Sequence, residues 1–219
     1  MAHVIQPRLC HSQEMDWPQP EPVCSERLLL EPLAVDHAAS MVDVLADPSL
    51  YEYTGGEAPS LDVLHSRYAA QIVGQSDDGS QWWVNWIVTY RDTGEPAGFV
   101  QATVACDGSM LVAEIAWVIS PRLQGQGIAS EATQMMIGWL RAHEVNRFVA
   151  HIHPEHQASM GVARNQALRP TSTEKDGETR WVSSQTPNAP NTPERVALCT
   201  QYAEALRSGR ATYTSRTSW

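Results

Sequence analysis

Long apolar runs are missing from this chain. None of its 219 residues lies in a stretch approaching the ~20 consecutive apolar residues of a membrane helix, so no membrane span or membrane partner is expected. Residues 1–19 contain no basic segment leading into an apolar one, which predicts no secretory signal and a cytoplasmic setting. Cysteine is scarce, and Cys10, Cys24, Cys106 and Cys199 are too scattered for a zinc hairpin or a disulfide framework. Free thiols are the expectation. Positive charge is also in short supply. With 25 Asp and Glu against 15 Lys and Arg, the net charge is −10, which argues against nucleic acid as a partner. The shortfall is uneven: residues 1–120 hold 17 acidic against 4 basic side chains, a net of −13, whereas 121–219 hold 8 against 11, a net of +3. One half suits a cationic ligand and the other an anionic one, although undirected drift of surface charge gives the same asymmetry.

What is present reads as one globular domain with extensions. Residues 1–22 are polar and contain four prolines, and read as a tail or an added strand. A strand is predicted over 25–33 and a helix over 36–47, capped by Asp36 and stopped by Pro48. A second helix over 60–73 is capped by Ser60, presents Leu61, Leu64, Tyr68 and Ile72 on one face, and ends at Gly74. Strand-like runs at 82–90, 97–105 and 110–119 are separated by short turns, so they pair antiparallel as a meander. A helix to about 143, a strand at 147–153, a helix at 156–168 and a strand at 179–183 follow. Residues 185–193, with three prolines, read as a linker and 194–208 as a terminal helix, packed on its own core or on a second copy in a homodimer. The division is an extension at 1–23, a domain at 24–183, and a linker with helix at 184–219.

The stretch that carries chemistry lies between the strand ending at Ser120 and the helix after Gly127. Pro121 breaks the strand, and Gly125 and Gly127 flank Gln126. Two glycines there let backbone N–H groups converge where a Cβ would block them, and the helix start adds unpaired donors. The combination is an anion cradle suited to a diphosphate. A Walker loop is excluded because Ile128, not Lys, follows the second glycine. A dinucleotide loop lacks its third small residue, since Ser130 stands there, and a meander precedes it instead of a βαβ unit. A glycine turn without a ligand remains the plain alternative.

Arg122, Gly125 and Gly127 match the Arg/Gln-x-x-Gly-x-Gly/Ala loop of the GNAT N-acetyltransferases. The chain resembles that family over about 24–183, and within it the ribosomal-protein N-terminal acetyltransferases. Ser25-Glu-Arg-Leu-Leu-Leu-Glu-Pro-Leu33 resembles their first strand and Thr93-Gly-Glu-Pro-Ala-Gly-Phe-Val100 their central hairpin. The segments 114–132 and His153-Pro-Glu-His-Gln-Ala-Ser159 resemble their cofactor strand and loop and their following helix start. The resemblance implies an α/β (α+β) fold with a mostly antiparallel central sheet flanked by helices. It implies acetyl-CoA as cofactor and acetyl transfer to a primary amine, on a protein N-terminus or a small cationic amine such as an aminoglycoside or polyamine, in a ternary complex. A non-catalytic acyl-CoA-binding or partner-binding module is the alternative.

The resemblance also implies site residues. The backbone of Trp117, Val118 and Ile119 would hold the pantetheine and the acyl carbonyl, and that of Gln124, Gly125, Gln126, Gly127, Ile128, Ala129 and Ser130 the pyrophosphate, with Arg122 at the loop's mouth. Glu114 is the general-base candidate. Partial burial would raise its pKa toward a useful range, and a Glu on a solvent-facing strand is the competing reading. Ser159 is the general-acid candidate, since 156–168 lacks the Tyr of many relatives; a Ser bonding helix backbone is its plain alternative. His156 stands where the family has an Asn facing pantetheine, and Ala167-Leu168 where it has Gly-Phe. His151, His153 and His156 with Glu155 offer a metal reading, but no fourth ligand is evident and no metal is expected. Trp82, Trp83 and Trp86 are candidates for an acceptor pocket, with at least one expected in the core because strand neighbours alternate faces.

Overall fold

The computed structural model describes residues 17–107 and 110–184. The tail reading of 1–16, the linker and the terminal helix lie outside the described residues. Two short strands open the sheet, β1 (Val23–Cys24) and β2 (Leu28–Pro32). Helices α1 (Ala38–Val44) and α2 (Leu61–Gln71) follow. The meander is β3 (Gln81–Tyr90), β4 (Pro96–Asp107) and β5 (Met110–Ile119). Then come α3 (Ile128–Ala142), β6 (Arg147–Ile152), α4 (Gln157–Asn165), β7 (Leu168–Lys175) and β8 (Glu178–Ser183). The sheet runs β1-β2-β3-β4-β5-β6-β8-β7, antiparallel throughout except between β5 and β6. This is the expected mostly antiparallel sheet flanked by helices.

Both faces are covered, each by the apolar side of its helices. On one face α3 sets Ile128, Ala132, Met136, Trp139 and Leu140 against Trp82, Trp86, Val100 and Ile115, with Met160 and Ala163 of α4 in the same cluster. On the other, Met41 and Val44 of α1 and Leu64 and Tyr68 of α2 pack on Ile87, Phe99 and Val118. Trp17 is buried and stacks on Trp82 at 5.3 Å, so the chain joins the core before β1.

Several boundaries differ from expectation for local reasons. Asp36 does not cap α1; it lies inside a 3-10 turn, Val35–His37, that precedes the helix. Pro48 opens another 3-10 turn, where Asp47 accepts from the Ser49 N–H at 2.9 Å. Ser60 does cap α2, accepting from Val63 at 3.3 Å, but only Leu64 and Tyr68 of the expected stripe are buried. The predicted helix over 156–168 is shorter, because Ala167 turns the chain at φ 59° and Leu168 starts β7, a strand not foreseen. Cys24 and Cys106 are both disulfide-bonded, which corrects the expectation of free thiols for these two. Among the described residues no helix is long and apolar enough to cross a membrane.

Candidate functional site

Strands β5 and β6 pair in parallel over only three positions, ending at Glu114 with Val149. Beyond that point they part, while β5 stays paired to β4 as far as Ile119 with Gly98. The Ser120 N–H bonds to the Ala97 carbonyl at 2.8 Å. Ladder alternation therefore turns the Val118 N–H to β4, and leaves the main-chain groups of Trp117 and Ile119 facing the gap that β6 has vacated. Of the three residues expected to hold pantetheine, Trp117 and Ile119 thus offer backbone to the opening and Val118 does not. The Ile119 carbonyl already accepts from the Gln124 side chain at 3.0 Å, which draws the following loop against the strand end.

In that loop Gly125 and Gly127 take positive φ, 75° and 77°, a conformation other L residues rarely adopt. A Cβ on Gly125 would meet nothing within 4 Å, so the loop is open on that side. Glu131 is the first α3 amide to bond back, to the Gly127 carbonyl at 3.1 Å, so the amides of Ile128, Ala129 and Ser130 have no intrahelical acceptor. Three free N–H groups at a helix start above two glycines fit a diphosphate. The loop is also braced. Arg27 on the β1–β2 turn donates to the Gln126 carbonyl at 3.0 Å and pairs with Glu131 at 2.6 Å, and Ser25 donates to the same carboxylate at 2.6 Å. The one carboxylate in the first turn of α3 is thereby neutralised. Tyr90 donates to the Gln126 side chain at 3.3 Å. Asn165, the last residue of α4, and Gln166 after it donate to the Ser130 hydroxyl and carbonyl at 2.9 Å each. Arg122 is turned to Glu95 at 2.8 Å across an exposed turn. No local pattern in the sequence marks Arg27 or Asn165, because only the fold brings them to the loop.

Glu114 and His151 meet just where the strands part, Oε1 to Nδ1 at 3.2 Å. The expected burial of Glu114 is not there: its side chain is 59% exposed, because odd-numbered neighbours on β5 face the α3 core and Glu114 faces outward on the α1–α2 side. His151 beneath it is 15% exposed. Ser159 sits in the first turn of α4, half-buried, and its hydroxyl makes no hydrogen bond among the described residues, so the helix-backbone alternative is not what the structure has. His156 precedes α4 and stacks on Tyr53 at 4.6 Å, while His153 meets the same ring at 5.2 Å. Burial pushes the His156 pKa below its usual value of 6.5, the neighbouring His153 adds to this, and Glu52 opposes it. The three histidines thus go to two different sets of partners. Trp82 and Trp86 are core residues and Trp83 faces the other side of the sheet.

A sequence-family model described as an acetyltransferase (GNAT) domain matches residues 27–169. A search of curated proteins found no match. Among solved structures, a RimL ribosomal L7/L12 alpha-N-protein acetyltransferase in complex with coenzyme A is similar with TM-score 0.61 and 19% identity, over 77% of this chain and 100% of that one. An acetyltransferase of the GNAT family from Bacillus anthracis gives TM-score 0.60 and 16% identity over 74% and 95% of the two chains. An acetyl transferase from Salmonella typhimurium, described as modifying the N-terminal serine of the 50S subunit protein L7/L12, gives 0.58 and 17% over 74% and 98%.

Proposed function

Because the chain belongs to the GNAT acetyltransferase family and is an acyltransferase that uses acetyl-CoA, we propose that its acceptor is the α-amine of a polypeptide. The observation that carries this is the position of Glu114: at the mouth of the β5–β6 opening, on the α1–α2 side of the sheet, with its side chain 59% exposed. A base so placed reaches an amine whose bulky remainder stays outside the protein. The similar structures that act on ribosomal-protein N-termini support the same acceptor class.

Acetyl-CoA supplies the activated acyl group, and the chain's own residues do the rest. The amides of Ile128, Ala129 and Ser130, with the glycine loop, would hold its pyrophosphate. The free main-chain edge of Trp117 and Ile119 would hold the pantetheine arm, and its N–H groups would stabilise the negative charge that develops on the acyl oxygen. Glu114, oriented by His151, takes the proton that the acceptor ammonium must lose before its lone pair can attack. Ser159, whose hydroxyl makes no hydrogen bond among the described residues, would be the proton donor for the thiolate that leaves as the amide bond forms. His156 lines the approach to α4 in its neutral form.

Two measurements test this together. Calorimetry of acetyl-CoA with the parent should show binding that Gly125→Glu abolishes, since the new carboxylate would stand in the diphosphate cradle on a backbone unsuited to a side chain. Mass spectrometry of peptides with free N-termini should then show one acetyl group added at the α-amine. Thiol release with polyamines or aminoglycosides but with no peptide would overturn the acceptor assignment.

A further inference from the structure

A cavity of about 280 Å³ opens on the α1–α2 face, between α2 and the sheet. Its polar lining consists of Arg67, Tyr68 and Gln71 from α2 and Asn85 and Gln101 from β3 and β4, and it includes no carboxylate. Every one of these side chains can donate a hydrogen bond, and one carries a positive charge. In a chain whose first 120 residues carry a net −13, this is a local reversal of sign.

Tyr68 is 4% exposed and its buried hydroxyl has no hydrogen-bond partner. Buried hydroxyls are ordinarily satisfied, so an orphan beside a cavity marks a place where a ligand atom completes the arrangement. Burial pushes the Tyr68 pKa up to about 12, with the Arg67 charge acting in the opposite sense, so the phenol keeps its proton and is a donor at neutral pH. Arg67 stands exposed at the cavity's edge and makes no ion pair among the described residues. By contrast Arg27, Arg122 and Arg147 are each paired with a carboxylate.

The cavity is also next to the chemistry. Gln101 lies opposite Ala116 on β5, and Thr103 opposite Glu114. Paired residues share a face, so Glu114 is the diagonal neighbour of Gln101, about 7–8 Å away. Between them stands the exposed methyl of Ala116.

We propose that this cavity is an acceptor subsite that takes a carboxylate, carried by a side chain within the first two residues of the polypeptide whose α-amine is acetylated. The inference rests on the acetyl-transfer reading and deepens it. With the amine at Glu114, an acidic side chain one residue further on is directed past Gln101 into the cavity. Its oxygens accept from the guanidinium and the phenol, and the amides of Asn85 and Gln101 close the site.

The test uses three peptides, alike except for Glu, Gln or Lys at the second position, acetylated by the full chain with saturating acetyl-CoA. The Glu peptide should show a KM about tenfold below that of the Gln peptide, as for one charge-assisted contact, with the Lys peptide poorest. In Arg67→Gln the KM ratio of the Glu and Gln peptides should fall to near 1, and Tyr68→Phe should reduce it partway. Equal use of the three peptides, a preference for Lys, or a ratio unchanged in Arg67→Gln would overturn the subsite. If no peptide is acetylated, the peptide reading falls by itself. The same variants are then scored with small amines of equal length that do or do not carry a carboxylate, and equal use of these removes the subsite as well.

Discussion

At the scale of single residues, the contact between Glu114 and His151 makes the sharpest demand. A carboxylate that removes a proton in the rate-determining step contributes typically about 10²–10⁴-fold. Glu114→Gln should therefore lower kcat/KM by an amount in that range at neutral pH, with acetyl-CoA affinity unaltered. The loss should shrink as pH rises past the α-amine's own value of about 8, where the acceptor arrives deprotonated. His151 touches the carboxylate and not the acceptor, so His151→Gln should cost less and leave KM unchanged. Stopped thiol assays across pH measure both. A Glu114→Gln deficit that stays constant to high pH would assign the side chain a binding role and not a proton-transfer role. Exposure matters to this argument: an open carboxylate can work through a water as well as directly, and neither route needs the burial that the strand's apolar surroundings had suggested.

At the scale of elements, the site depends on where β5 ends. Gly98 of β4 is paired with Ile119, and a Cβ built on it would lie 2.0 Å from the Val118 carbonyl oxygen and 2.9 Å from the Ile119 Cα. No flexible side chain is there to yield, so Gly98→Ala must move the end of β5 away from β4. That displacement falls on the strand edge of Trp117 and Ile119. Overpacking of this kind costs about 1–3 kcal/mol in stability, and the variant should also weaken acetyl-CoA binding, read by thermal unfolding and calorimetry. A variant that is destabilised but binds the cofactor as the parent does would show that this strand end takes no part in holding it. Much of this element could be read from the sequence, because strand alternation, a proline stop and two spaced glycines each have a direct physical meaning. β7 could not be. Of Leu168–Lys175 only Leu168 is buried, and an edge strand with polar residues on both sides has no periodicity to detect. The exit from α4 was hidden for a related reason: Ala167 takes a left-handed turn that its residue type disfavours, held by its own N–H bond to the Arg164 carbonyl, by the burial of Leu168 and by the bonds from Asn165 and Gln166. The brace by Arg27 joins residues 99 positions apart, and no local pattern carries such a contact.

At the scale of the whole molecule, the two helical layers lie on opposite faces of the sheet and meet at the end of the opening. There Tyr53, between α1 and α2, stacks on His156 at the start of α4. The join ties the face expected to receive the acceptor to the helix expected to meet the cofactor. It is also sensitive to protons. Burial and His153 hold the His156 pKa below 6.5, so the folded chain favours the neutral ring more than the unfolded chain does. The unfolded chain then binds the extra proton as pH falls through about 6.5, and stability that is fully present above that value is lost down through the lower folded-state pKa. The parent should therefore lose more thermal stability than His156→Asn when taken from about pH 7.5 to about pH 5. Hydrogen exchange should show the segment around Tyr53 opening before the sheet does. Melting curves of parent and variant that shift in parallel with pH would mean that this stack contributes nothing to the coupling of the two layers, and that the sheet alone holds them in register.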